Sequence, residues 1–217
     1  MKNNMLNQLK IMLSASIPSH LENTFKGQEM YHIIMVLTRR IISAGGKIVF
    51  GGHPSITPLI RNAALSVEGS PDDIHLFQLK RFKDKAPDAI HDKNVFSNIR
   101  WIGDGNTETN LASELSEMRR AMAESADAAI FIGGKTSDSL TETPGIREEY
   151  QVFMENHPNG PAYLIGMMEG ETLNMIKEFE NHQKKIPNRL SNDQLDYMHH
   201  KDNIELIAPM IVSDIAG

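Results

Sequence analysis

The sequence predicts an α/β protein, a Rossmann-like three-layer fold with a mostly parallel sheet covered by helices on both faces. Six short runs rich in Ile, Val, Leu and Phe, at 11–13, 47–50, 74–79, 99–102, 128–132 and 162–165, are apolar at consecutive positions. That is the mark of strands buried on both sides. Between most of them lie longer stretches with helical spacing: Met30, Ile33, Ile34, Leu37 and Ile41 form one stripe, and Leu111, Leu115, Met118 and Met122 form another. Strands alternating with helices imply right-handed crossovers and a ligand site beyond the carboxyl ends of the strands.

Taken in order, the first strand runs into SASIPS, where Ser14 and Ser16 can admit a ligand closely and hydrogen-bond to it. The second runs into GGHPSITPLI. Gly51 and Gly52 permit backbone conformations closed to other residues, and Thr57 before Pro58 matches an N-cap with proline at the first helical position. Amides at that helix start can hold a phosphate without a basic side chain, with Ser55 and Thr57 adding hydroxyls and His53 a donor or proton-transfer group. The alternative is an ordinary strand-to-helix turn. Residues 80–98 are polar, contain Pro87 and read as a long surface loop with room for one helical turn.

The helix at 111–122 fills its apolar stripe without arginine, so Arg119 and Arg120 project from other faces. Successive residues turn ~100° around a helix, so at most one arginine flanks the strand edge, where it can meet an anionic ligand; the alternative is a surface role for both. The fifth strand ends in Gly133-Gly134, the polar loop KTSDSLTETP follows, and a helix begins near Gly145 with Arg147, Glu148 and Glu149 in its first turn. Carboxylates there suit the helix dipole. The functional alternative is that one of them binds a ribose hydroxyl or activates water, Glu148 being the first choice and Glu149 the next. Beyond Gly170 the chain reads as helical to Lys185, then as a pair of short helices closing one sheet edge. Residues 170–217 are thus expected to form a helical extension packed on a single domain spanning 1–217.

Composition narrows the function. A chain of 217 residues, 40% hydrophobic, can bury one sizeable core. Its 22 basic and 28 acidic residues give a net charge of -6, and no basic cluster exceeds a pair, which disfavours general nucleic-acid binding. There is no cysteine, hence no disulfide, thiolate nucleophile or Cys-based zinc site. No segment approaches the ~20 apolar residues of a membrane span, so no membrane contact is expected and a cytoplasmic location follows by default. The nine histidines are scattered, and His199-His200 lie adjacent rather than at a spacing that faces one ion, so neither a metal nor another cofactor is expected.

The combination of LSASIP, IVFGGHPSITPLI, MRRAMAESADAAIFIGG and PGIREEY resembles the SLOG superfamily over 10–165. That superfamily includes the LOG-like phosphoribohydrolases once labelled lysine decarboxylases, and nucleotide-sensor domains of bacterial conflict systems. Within it the sequence looks most like a poorly characterised bacterial group of sensor-like domains. The resemblance implies a Rossmann-like sheet and a pocket for a nucleotide-derived small molecule, lined by Ser14, Ser16, Gly51, Gly52, His53, Ser55, Thr57, Gly133, Gly134 and Gly145. It also implies pairing into a homodimer or higher homo-oligomer, and an effector protein as a further partner.

Two departures bear on activity. In the hydrolytic members a helix arginine stands four residues before a methionine that itself precedes an Ala-Asp-Ala-like strand start by five. Met122 and Asp127 keep the second spacing, but the arginine slot holds Met118, and Arg119 lies one position later. The compact PGGxGTxEE run of those members is also split here, with KTSDSLTETP inserted between Gly133-Gly134 and Glu148-Glu149. Two functions therefore compete. One is a module that binds or senses a nucleotide-derived ligand. The other is an N-glycosidic hydrolase acting on nucleoside monophosphates, with Glu148 or Glu149 beside the anomeric carbon and Arg119 on the phosphate. Deoxyribosyl transfer, a third reading, has no motif that separates it from hydrolysis.

Overall fold

Strands β1 (Lys10–Ser16), β2 (Lys47–Phe50), β3 (Ile74–Leu79), β4 (Asn98–Ile102), β5 (Ala128–Gly133) and β6 (Ala162–Ile165) form one sheet in the order β4-β3-β2-β1-β5-β6. The computed structural model describes residues 4–85, 88–91, 93, 95–106, 108–137, 143–201 and 203–217. Every pairing is parallel, with Ile11 opposite Ile48 on one side and Ala128 on the other. Seven α-helices accompany the strands among the described residues: α1 (Phe25–Ser43), α2 (Thr57–Ser66), α3 (Leu111–Ser125), α4 (Gly145–Asn156), α5 (Glu171–Asn181), α6 (Asn192–His200) and α7 (Ile204–Ala216).

Because side chains alternate along a strand, the consecutive apolar residues feed two cores. Leu13, Phe50, Leu76 and Ile132 face one way, against apolar residues of α1, α2 and α7. Met12, Val49, Phe77 and Phe131 face the other, against α3, α4 and α5. Asp127 sets the register of β5 on β1: its carboxylate accepts from the Lys10 amide at 2.8 Å, and its own amide donates to the Lys10 carbonyl at 2.7 Å. The helix starts follow local chemistry. The Thr24 side chain caps α1, Asn110 caps α3, and Ser191 with Gln194 forms a capping box on α6.

Three expectations change in detail. Residues 80–98 are more than a surface loop. They include 3₁₀ turns at Lys80–Lys85 and Asp88–His91, and they bury Ile90, Val95 and Phe96, the last against Phe50 at 6.2 Å between ring centroids. Pro87 lies outside the described residues. Thr57 is the first residue of α2 rather than its cap, and its hydroxyl donates back to the His53 carbonyl at 2.9 Å. Of the two tail helices, α6 packs beside the edge strand β6, while α7 lies against α1. No helix of the described residues is long and apolar enough to cross a membrane.

Candidate functional site

β1 lies between β2 and β5, and the chain leaves β1 for α1 on one face of the sheet but leaves β5 for α4 on the other. In open parallel sheets that reversal opens a crevice where ligands bind. Here the crevice is a cleft of about 440 Å³. The end of β1, the turn after β2, Gln78 of β3, α3 and the start of α4 line it. The turn at 51–56 and the segment holding Lys135, Gly145, Ile146 and Glu149 therefore share one cleft. Of the residues singled out in the sequence, Ser14, Ser16, Gly51, Gly52, His53, Gly145, Arg119 and Glu149 line it; Ser55, Thr57, Gly133, Gly134 and Glu148 do not.

Arg119 reaches this cleft despite its one-position offset, because a long side chain spans the quarter turn that separates it from Met118. It is buried, whereas Arg120 is exposed. The guanidinium is hydrogen-bonded through Nη1 to Glu148 Oε2, and its Nε lies 3.7 Å from Glu149 Oε1. Gly145 makes room for it, since a Cβ there would stand 2.5 Å from Arg119 Nη2. The two adjacent glutamates thus divide their work: Glu148 holds Arg119 from behind, and Glu149 faces the cleft. Burial pushes the Glu149 carboxyl above its ordinary range and Glu148 adds to this, while Arg119 and the Ser14 hydroxyl pull the other way. Two buried polar atoms at this point, Ser14 Oγ and Arg119 Nε, have no hydrogen-bond partner of good geometry among the described residues.

The turn after β2 is more self-contained than the sequence suggests. The His53 carbonyl accepts from the amides of Ile56 and Thr57, and the His53 ring from that of Ser55, while Pro54 and Pro58 have none to give. The Gly52 and His53 amides are not used by this scheme. Loss of water around part of the His53 ring, and then Lys135, hold its pKa below the ordinary value, so the ring is a neutral hydrogen-bonding group. Gly133 and Gly134 serve the backbone: the Gly134 amide donates to Ser16 at 2.8 Å, and its carbonyl accepts from Glu171 at 3.1 Å.

Sequence reasoning passed over Gln78, Phe82 and Lys135. Gln78 is 7% exposed; its Nε2 donates to the Gly52 carbonyl at 3.1 Å, and its Oε1 accepts from the Leu79 amide at 2.9 Å. It holds Gly52, whose φ of +63° suits glycine, in place at the cleft rim. A lone amide inside the apolar strand IHLFQL was the available signal. Phe50, Phe82, Leu115, Met118 and Met122 form an apolar wall. Within the polar loop at 135–144, residues 138–142 lie outside the described residues.

No curated protein matches this sequence. Among solved structures, the X-ray structure of TM1055, a structural-genomics target, is similar with a TM-score of 0.53 at 14% identity, covering 87% of this chain and 89% of that one. At that identity the likeness speaks to the fold alone. A model of the SLOG cluster3 family matches residues 30–200, a span that contains the turn after β2, Arg119 and both glutamates, and the chain belongs to that family.

Proposed function

We propose that the cleft binds a nucleotide or nucleotide-derived small molecule, with the sugar toward Glu149 and the base against the methionine-rich wall. The supporting observation is that Ser14 Oγ and Arg119 Nε are buried beside the Glu149 carboxyl and, among the described residues, interact with that carboxyl without a hydrogen bond of good geometry. Leaving a buried polar group unsatisfied costs ~1–3 kcal/mol, and a ligand hydroxyl flanked by these groups removes that cost. A cleft of about 440 Å³ falls within the size range of small-molecule sites. Polarisable methionines and the Phe50 and Phe82 rings accept a planar base without demanding one hydrogen-bond pattern. Arg119 is neutralised by its two glutamates, so phosphate is assigned to Lys135 and the spare amides of Gly52 and His53 at the mouth.

A second reading, cleavage of the bond between base and ribose, is favoured by the condition of Glu149. A carboxyl whose pKa is raised by burial takes a proton from water more readily than a solvated one, and its anionic form stabilises positive charge developing on the sugar. Water would add at the anomeric carbon as the base departs with a proton.

One experiment separates the readings. Purified protein is incubated with nucleoside monophosphates and NAD-derived cyclic nucleotides, and both thermal shift and base release are scored. A ligand at ~100 times its Kd adds about 2.7 kcal/mol, a rise of ~5–10 °C for a chain of this size. Ser14→Ala is expected to weaken binding by ~2–10-fold, the worth of one hydrogen bond, without lowering the melting temperature of the free protein. Stabilisation without release supports the sensor, and release that disappears in Glu149→Ala supports the hydrolase. If no nucleotide at saturation shifts melting, the proposal fails.

A further inference from the structure

Away from the cleft, three side chains from two helices meet at one carboxylate oxygen. Glu180 stands in the last turn of α5, and His199 and His200 close α6. His199 Nδ1 lies 3.2 Å from Glu180 Oε1 and His200 Nε2 lies 3.0 Å from it. One ligand atom from each residue falls within 4.8 Å of the other two. Neighbouring residues on a helix diverge by ~100°, which is why the sequence argues against a shared centre. The structure overcomes the divergence by using different ring atoms. The two rings stand at 87° with centroids 6.0 Å apart, and each turns a different nitrogen toward Glu180.

We infer that Glu180, His199 and His200 form a binding site for a divalent transition-metal ion of borderline softness, with Zn²⁺ the leading candidate. Two imidazoles and one carboxylate suit Zn²⁺, Co²⁺ or Ni²⁺, whereas Mg²⁺ and Ca²⁺ prefer all-oxygen shells. Tetrahedral Zn²⁺ with bonds of ~2.0–2.2 Å sets its ligand atoms ~3.3–3.5 Å apart. The two nitrogen–oxygen separations need therefore open by only a few tenths of an ångström. His199 is 6% exposed, so packing fixes its ring before any ion arrives. The side chains of His200 and Glu180 keep 40% and 44% of their exposure, leaving a path for the ion and a coordination position for water. Asp196, one turn earlier on α6, has Oδ1 4.0 Å from His200 Nε2 and supplies a further carboxylate within reach.

The affinity is bounded from the same geometry. A metal-bound histidine ordinarily donates its other N–H to an outer partner, and loss of such a partner costs ~10–100-fold. His199 Nε2 is buried with no partner among the described residues. The site is therefore expected to bind ~10–100-fold more weakly than one with that outer partner, and the test is set for a micromolar Kd. Its structural effect is to fasten the end of α6 to the end of α5, independently of the cleft and of whatever the cleft binds.

The test uses the full, tag-free chain, stripped with a chelator and titrated by calorimetry with Zn²⁺ and separately with Co²⁺. One ion per chain is expected, with visible d–d absorption for Co²⁺ and a melting rise of ~5–10 °C at hundredfold excess over Kd. His200→Ala and Glu180→Gln alter partly exposed side chains and should melt as the stripped wild type does, yet each should weaken binding by at least tenfold. His32→Ala, an exposed histidine on α1, should change nothing. Failure to take up Zn²⁺ in large excess over a micromolar Kd would overturn the assignment, as would uptake indifferent to both His200→Ala and Glu180→Gln.

Discussion

Arg119 and Glu149 concentrate the physics of the cleft in two side chains. One guanidinium faces two carboxylates, so the cluster keeps a net negative charge in a place with little water. Burial is the larger influence on Glu149, and it raises the pKa above the value in the unfolded chain. The ionised form therefore carries a folding cost above the raised pKa, and that cost disappears as the pH falls through it. Glu149→Gln should accordingly melt higher than the wild type at mildly alkaline pH. The gap should be a few degrees, since ~1 kcal/mol moves the midpoint by ~2–4 °C at this length, and it should close on acidification. Thermal melts across pH for both proteins check this; a variant that melts lower at every pH would mean that attraction to Arg119 outweighs burial. Much of this site was legible. The adjacency of Glu148 and Glu149 announces that only one faces a ligand, but choosing between them needs the direction of α4. Arg119 keeps its place among the site residues, but its offset weighs against hydrolysis because a position on a helical wheel ignores the reach of a four-bond side chain.

At the scale of elements, α3 is the wall that carries Arg119, and it is anchored at its first turn by another buried pair. Arg81 Nε lies 2.5 Å from Glu114 Oε2, with side-chain exposures of 9% and 3%. Arg81 Nη2 also donates to the carbonyls of Asn106 at 2.9 Å and Thr109 at 2.6 Å, tying down the chain just before α3. Removing one partner of a buried pair strands the other charge and costs ~3–5 kcal/mol, whereas replacing both with apolar residues is often neutral. Arg81→Met should therefore lower stability by ~3 kcal/mol or more, and Arg81→Met with Glu114→Leu should recover most of it. Denaturant unfolding of the two variants measures the difference; equal losses would show that the carbonyl contacts, not the stranded charge, dominate. None of this was visible in the sequence. Arg81 falls in a stretch read as a surface loop, because 3₁₀ turns give neither the two-residue nor the 3.6-residue period that marks buried elements. Ile90, Val95 and Phe96 were hidden for the same reason.

For the whole molecule, the strands were legible and their order was not. Apolar residues at consecutive positions identify a strand buried on both faces, but which neighbours it takes depends on crossovers that leave no local pattern. The cleft at the end of β1 follows from that order. The tail poses the remaining question of scale, since it reads as an addition to a finished domain while its contacts make it part of the core. Ile204, Ile207, Ile211, Val212 and Ile215 of α7 are buried, and α7 packs on α1 within the core on that face of the sheet. Asp214 accepts from the hydroxyl of the buried Tyr163 of β6 at 2.6 Å and from the Arg189 amide at 3.1 Å. Five aliphatic side chains at ~1.5–3 kcal/mol each are comparable to the ~5–15 kcal/mol that separates a whole domain from its unfolded state. A chain ending at Asn203 should therefore lack a cooperative thermal transition and partition into the insoluble fraction, and Ile211→Ala in the full chain should cost ~2–5 kcal/mol. Circular dichroism melts and soluble yield decide the matter. If the shortened chain melts cooperatively within a few degrees of the full one, α7 is an appendage and α1 has enough cover without it; if it does not, the sheet is closed on that face only when the last helix is in place.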